Sequence, residues 1–99
     1  MIRHIVSWKL TAEDADAKAV AFDELAEGFG PLPASIPEIK TLHLGRDIGG
    51  TTGNWDVVLV MDFETTADLA AYQVHPDHQP VKAIVRRVTG ERMAVDFEF

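Results

Sequence analysis

The sequence predicts an α+β fold: one four-stranded antiparallel sheet with its helices on a single face, in the order β-α-β-β-α-β. Three observations lead there. Four segments alternate apolar and polar residues with the period of a strand, two stretches carry apolar residues at helical spacing, and the third strand is apolar on both of its sides. A chain of 99 residues has room for one hydrophobic core, so residues 1–99 are read as a single domain.

Ile2 to Leu10 reads as the first strand, with His4, Val6, Trp8 and Leu10 on one face and Arg3, Ile5, Ser7 and Lys9 on the other. Thr11-Ala12-Glu13-Asp14 resembles a helix start capped by Thr11, and the helix is expected to run to about Glu27. Ala15, Ala19, Phe22, Leu25, Ala26 and Phe29 form its apolar stripe, opposite Asp16, Asp23, Glu24 and Glu27. Gly28, Gly30 and Pro31 to Pro33 end it, and a loop is expected to Pro37. Ile39 to Arg46 is a second strand with one less apolar face, near a sheet edge. Gly49-Gly50-Thr51-Thr52-Gly53-Asn54 is the loop of a hairpin. It is not read as a phosphate loop, because no helix follows it and the P-loop lysine is missing.

The third strand, Trp55 to Phe63, places Trp55, Val57, Leu59, Met61 and Phe63 on one side and Asp56, Val58, Val60 and Asp62 on the other. One layer of helices covers one sheet face only, so the second apolar face calls for a partner chain. A homodimer through Val58, Val60, Val95 and Phe97 is expected. Thr65-Thr66-Ala67-Asp68 starts the next helix, which His75-Pro76 interrupts, since a residue before proline is pushed from helical angles. Helix resumes near Asp77, with Val81, Ile84, Val85 and Val88 as its stripe, and Gly90 ends it. Arg92 to Phe99 is the last strand, with Met93, Val95, Phe97 and Phe99 on one face and Asp96 and Glu98 on the other. The commonest solution for this order is the ferredoxin-like split βαβ sandwich. With strands one and three central, the first and last strands are neighbours, which brings His4 towards Asp96, Tyr72 and His78.

Composition narrows the partners. Sixteen acidic against nine basic side chains give a net charge of -7, which repels a phosphate backbone or an anionic bilayer, so neither nucleic acid nor membrane is expected. Arg86 and Arg87, with Lys82 and Arg92 nearby, are most simply read as complementing a helix dipole. The chain has no cysteine, which removes disulfides, thiolate metal sites and a cysteine nucleophile. Met1-Ile2-Arg3-His4 runs straight into a strand with no apolar leader, so a cytoplasmic location is expected.

Tyr72-Gln73-Val74-His75-Pro76-Asp77-His78 holds half the histidines and the one tyrosine. Imidazole both gives and takes a proton near neutral pH, and a phenol beside it can polarise a carbonyl. The plainer alternative makes His75 and His78 surface groups at a kink, or members of a hydrogen-bonded structural network with Asp96. Two imidazoles and a carboxylate could also hold zinc or iron, but a proline-broken turn does not present them on one helix face. No metal and no cofactor are expected.

The opening Ile2-Arg3-His4-Ile5-Val6, His43-Leu44-Gly45, Phe63-Glu64-Thr65, the run Leu69 to His78 and the closing Val95-Asp96-Phe97 together resemble the stress-responsive A/B barrel family, over essentially the whole chain. The resemblance implies two sandwiches paired sheet to sheet into an α/β barrel. It also implies a site, by similarity to the plant polyketide cyclase of the family that makes olivetolic acid, a metal-free aldol cyclase. His78 would be the general base and Tyr72 the hydrogen-bond donor to the developing enolate, with His4, Asp96 and His75 in support. Val6, Trp8, Phe22, Leu59 and Met61 would line the pocket from the sheet side and first helix. Gln73, Gln79, Val81 and Arg92 would complete it. Gln73, Gln79 and Arg92 depart from that cyclase's apolar tunnel, and Trp8 adds bulk, which implies a smaller, more polar pocket suited to a short oxo-acid or another compact carbonyl compound. A non-enzymatic ligand-binding or stress-related dimer is the competing class.

Overall fold

The computed structural model describes residues 1–99. β1 (Ile2–Leu10) lies between β3 (Val57–Phe63) and β4 (Thr89–Glu98), and β2 (Thr41–Arg46) forms the far edge, giving the antiparallel order β2-β3-β1-β4 of the ferredoxin-like fold. The register sets His4 opposite Met61 on one side and opposite Asp96 on the other. Period-two alternation then dictates the burial: Ile2, His4, Val6, Trp8 and Leu10 all point into the helical layer and are buried. The β2–β3 hairpin turns where expected. Gly49, Gly50 and Gly53 take φ of 87°, 89° and 93°, the left-handed region that only glycine enters freely.

Helix α1 (Ala15–Phe29) starts later than the Thr11 cap implies. The Thr11 amide and hydroxyl both donate to the Val88 carbonyl, at 3.0 and 3.2 Å, which ties this residue to another helix end. Asp14 caps instead, its carboxylate accepting from the Ala17 amide at 2.8 Å. The buried stripe is consequently Ala21, Leu25 and Phe29, while Ala15 is exposed and Phe22 only flanks the core. The expected loop to Pro37 contains a one-turn helix, α2 (Leu32–Ser35), because proline is harmless where a first-turn amide needs no partner. It buries Leu32 and Ile36.

Helix α3 (Thr66–Val74), a single 3-10 turn (Pro76–His78) and α4 (Gln79–Val88) follow β3. α4 packs on α1 at Gly28, where a Cβ would stand 3.1 Å from Ile84 Cδ1, so the bare backbone lets the two helices close. Gly90 does not end α4. The chain leaves the helix at Thr89 and enters β4 directly, so Gly90 is a strand residue.

The face away from the helices is bare of protein. Val58, Met93, Val95, Phe97 and Phe99 are exposed there. Among them sits one charge pair with its carboxylate buried and its guanidinium half-open to water: Arg3 forks onto Asp62 at 2.8 and 3.1 Å, and the Thr41 hydroxyl donates to the same carboxylate at 2.7 Å. These bonds, Arg3 first, hold the Asp62 carboxyl below its ordinary range. No helix is long and apolar enough to cross a membrane.

Candidate active site

The site is built by the break between α3 and α4. Thr65 caps α3 by accepting from the Asp68 amide at 3.1 Å, which sets the phase that turns Leu69 and Tyr72 inward. His75 takes an extended ψ of 137° ahead of Pro76. On an unbroken helix, residues 72 and 78 would face roughly 120° apart. The 3-10 turn swings His78 back over Tyr72, and the two rings stack with centroids 4.3 Å apart.

A pocket of about 320 Å³ opens at this stack, between the sheet and α4. β1 supplies His4, Val6 and Trp8, β3 Leu59 and β4 Arg92. The helical layer supplies Phe29, Tyr72, Gln73, His78, Lys82, Val85 and Arg86. The aromatic wall is continuous, from Trp8 to Phe29 at 6.0 Å, Phe29 to His78 at 6.3 Å and Tyr72 edge-on to His4 at 6.4 Å.

His4, Tyr72, His78 and Asp96 therefore come together, and so do Val6, Trp8, Leu59, Gln73 and Arg92. Five expected members do not. Met61 and Val81 are sealed in the core, and Phe22 flanks that core from α1. Gln79 is exposed and donates from its side chain to the His75 carbonyl at 3.2 Å. His75 itself lies outside the pocket, where its Nδ1 accepts from the Asp77 amide at 3.1 Å and caps the turn. It shapes the break and touches no ligand space. Phe29, Lys82, Val85 and Arg86 escaped the sequence reading. A signal existed, since Lys82 and Arg86 follow His78 at helical spacing of four and eight and share its face.

The two inward histidines differ in their partners. Asp96 engages His4, whose Nδ1 lies 2.5 Å from the carboxylate. An ionised carboxylate only accepts, so Nδ1 carries a proton, and the contact fixes the orientation of the ring. His78 has no such partner. Its Nδ1 is sealed from solvent with nothing to bond, as is the Trp8 indole nitrogen. The structural network expected around His78 and Asp96 is thus absent at His78.

Burial first, then the charges of Lys82 and His4, push the His78 pKa down to about 4, so its imidazole is neutral at physiological pH. Burial lifts the Tyr72 phenol well above its ordinary value, against a smaller opposing effect of Arg92. Tyr72 stays a hydrogen-bond donor at any physiological pH. A neutral base, a protonated phenol and a carboxylate-oriented second imidazole share one half-apolar space, which is the equipment for moving a proton to or from a carbonyl compound. No three acidic or imidazole side chains converge as a ligand set for a metal ion.

The sequence pattern of the Stress responsive A/B Barrel Domain matches residues 2–99. The stress-response A/B barrel domain-containing protein DABB1 of Arabidopsis thaliana is 28% identical over 100 residues, covering 98% of this chain and 46% of that protein. The chain thus spans about half the length of that curated relative. A dimeric ferredoxin-like protein of unknown function from Bacteroides fragilis NCTC 9343 superposes with a TM-score of 0.87 at 28% identity, over 99% of this chain and 95% of its own. The hydroxynitrile lyase of Passiflora edulis superposes at 0.78 with 17% identity, over 97% and 90% of the two chains, a likeness of fold alone.

Proposed function

The chain belongs to the stress-responsive A/B barrel family, and from that premise we propose a homodimer in which each protomer binds a small carbonyl compound and abstracts an acidic proton from it, as in a cofactor-free cyclisation or isomerisation. The observation that carries this reading is His78, a buried, neutral imidazole without a protein partner, stacked on a protonated phenol at the floor of a pocket. A buried polar group with nothing to bond costs stability, so it is retained where a ligand completes it.

In this reaction His78 takes a proton from carbon between two carbonyls. Tyr72 donates a hydrogen bond to the oxygen on which the enolate charge develops, in a site where a fixed donor is worth more than in water. His4, held by Asp96, is placed to relay the proton to the product. A pKa near 4 describes the empty pocket. With an enolate forming beside it, the imidazolium gains a counter-charge, and the opposition from Lys82 and His4 is offset. The same low basicity favours a second reading, a non-enzymatic dimer that binds its ligand without reaction.

Deuterium incorporation separates the two. In heavy water, wild-type protein is expected to speed exchange at the carbon between the carbonyls of a short β-keto thioester by about 10² or more over buffer. Binding of that thioester without faster exchange would leave the non-enzymatic reading standing and remove the proton-abstraction one.

The dimer is assigned to the open sheet face, which supports the pairing because Val58, Val95 and Phe97 would otherwise remain in water. The Arg3 guanidinium, 4.5 Å over the Phe99 ring, adds a cation–π contact at its margin. Val95→Lys is expected to turn a dimer into a monomer at micromolar concentration in sedimentation velocity. A wild-type chain that sediments as a monomer at that concentration overturns the assignment.

A further inference from the structure

Nine lysines and arginines share this chain with sixteen acids, so a cation left without a carboxylate is an exception. Arg3, Lys9, Lys18, Lys40 and Arg87 each have a carboxylate oxygen at 2.6 to 3.6 Å. Arg46 donates to the Ala15 carbonyl. The remaining three, Lys82, Arg86 and Arg92, have no acidic partner, and all three line the pocket at Tyr72 and His78. No carboxylate lines it with them. Asp96, beside His4 on β4, is engaged by that histidine.

The placement leaves three cations without a counter-charge unless something anionic visits. Lys82 and Arg86 stand four apart on α4, where like charges repel. Lys82 donates to the Gln73 carbonyl at 2.6 Å, which fixes its ammonium at the end of α3 and leaves two further N–H groups free. Arg92 enters from the opposite wall, across from Trp8 in the β1–β4 register. These charges reach the reacting pair, since Lys82 acts on His78 and Arg92 on Tyr72. Trp8 and His78, 3% and 7% exposed, line the same pocket, and each also carries a ring nitrogen with no protein partner.

We infer that Lys82, Arg86 and Arg92 form a carboxylate-binding rim, so that the pocket's ligand is a short oxo acid, held by its carboxylate at the rim with its keto oxygen at Tyr72. The assignment rests on the proposed carbonyl-binding site and adds its substrate class. An arginine fork matches a carboxylate edge to edge, and arginines that reach one pocket from two elements, α4 and β4, fix its orientation. The pocket's volume suits a compact acid with the carbonyl close behind the anion.

Acetoacetate and methyl acetoacetate test it, because they carry the same pair of carbonyls with and without the charge. Binding is read from the ring resonances of His4 and His78 by NMR titration, with inorganic phosphate as a third probe. Acetoacetate is expected to bind at least about tenfold tighter than the ester. Arg86→Gln and Arg92→Gln together are expected to erase that preference. Equal binding of acid and ester in wild type, or a preference that survives both substitutions, overturns the rim while the carbonyl site stands. Phosphate that competes with acetoacetate at equal strength overturns the oxo-acid assignment in favour of a phosphate-bearing carrier. If neither organic ligand moves the His78 ring, the carbonyl site itself fails and the rim with it.

Discussion

Replacing His78 by asparagine is expected to lower kcat/KM for proton abstraction from the bound carbonyl compound by about 10² to 10⁴, while the dimer and the thermal midpoint change little. The two halves of that expectation come from one geometric fact. The His78 side chain makes no hydrogen bond that its removal could orphan, and asparagine keeps part of the packing that the ring makes on Tyr72 and Phe29. The usual penalty of stripping a partner from a buried polar group, about 1 to 3 kcal/mol, therefore does not apply. Tyr72→Phe is a weaker lesion in the same assay, about 10², because it removes one donor to the enolate oxygen and leaves the base. Asp96→Asn acts through His4, whose tautomer it frees, and its mark is a changed pH profile more than a lost kcat. A His78→Asn protein with wild-type turnover would transfer the base role away from this residue, to His4 as the other imidazole lining the pocket.

The strands were legible because alternation reports which side of a sheet is covered. β1 carries that signal undiluted, and the cap at Thr65 is a local hydrogen bond that needs no tertiary knowledge. The start of α1 was not legible, since Thr11 and Asp14 are both good caps and the choice is made by the Val88 carbonyl far along the chain. The same limit applies at the site. Alternation and the proline break bring His4, Asp96, Tyr72 and His78 to one place, and the sequence carries both. Periodicity identifies the inward face of a strand but not how far along it the helices lie. Met61 and Leu59 belong to one inward row, yet Met61 is sealed in the core and Leu59 meets the pocket. Lys82 and Arg86 looked sufficiently explained by the end of a helix. Only the ion pairs formed elsewhere show that they are the cations left over.

Acid is expected to destabilise this protein through His78 in a defined window. A folded-state pKa of about 4 against the ordinary 6.5 means that the unfolded chain binds the extra proton first as pH falls. Between these values the unfolded state carries more protons, so stability rises with pH there and is lost on acidification. The full contribution is present above about 6.5 and gone below about 4, and it amounts to about 3 kcal/mol at 1.36 kcal/mol per unit. Asp56 and Asp62, held below the ordinary carboxylate value of 3.8, lose their contributions lower still, outside this window. Urea unfolding of wild type and His78→Asn at fixed protein concentration isolates the effect, because the other histidines are common to both and cancel, and fixed concentration removes the dimer's mass-action term. Wild type should lose about 3 kcal/mol more than the variant between pH 7 and pH 4. Parallel pH profiles for the two proteins would mean that His78 titrates normally in the fold, and a normally titrating imidazole is not one whose hydration the pocket has stripped away for a ligand to replace.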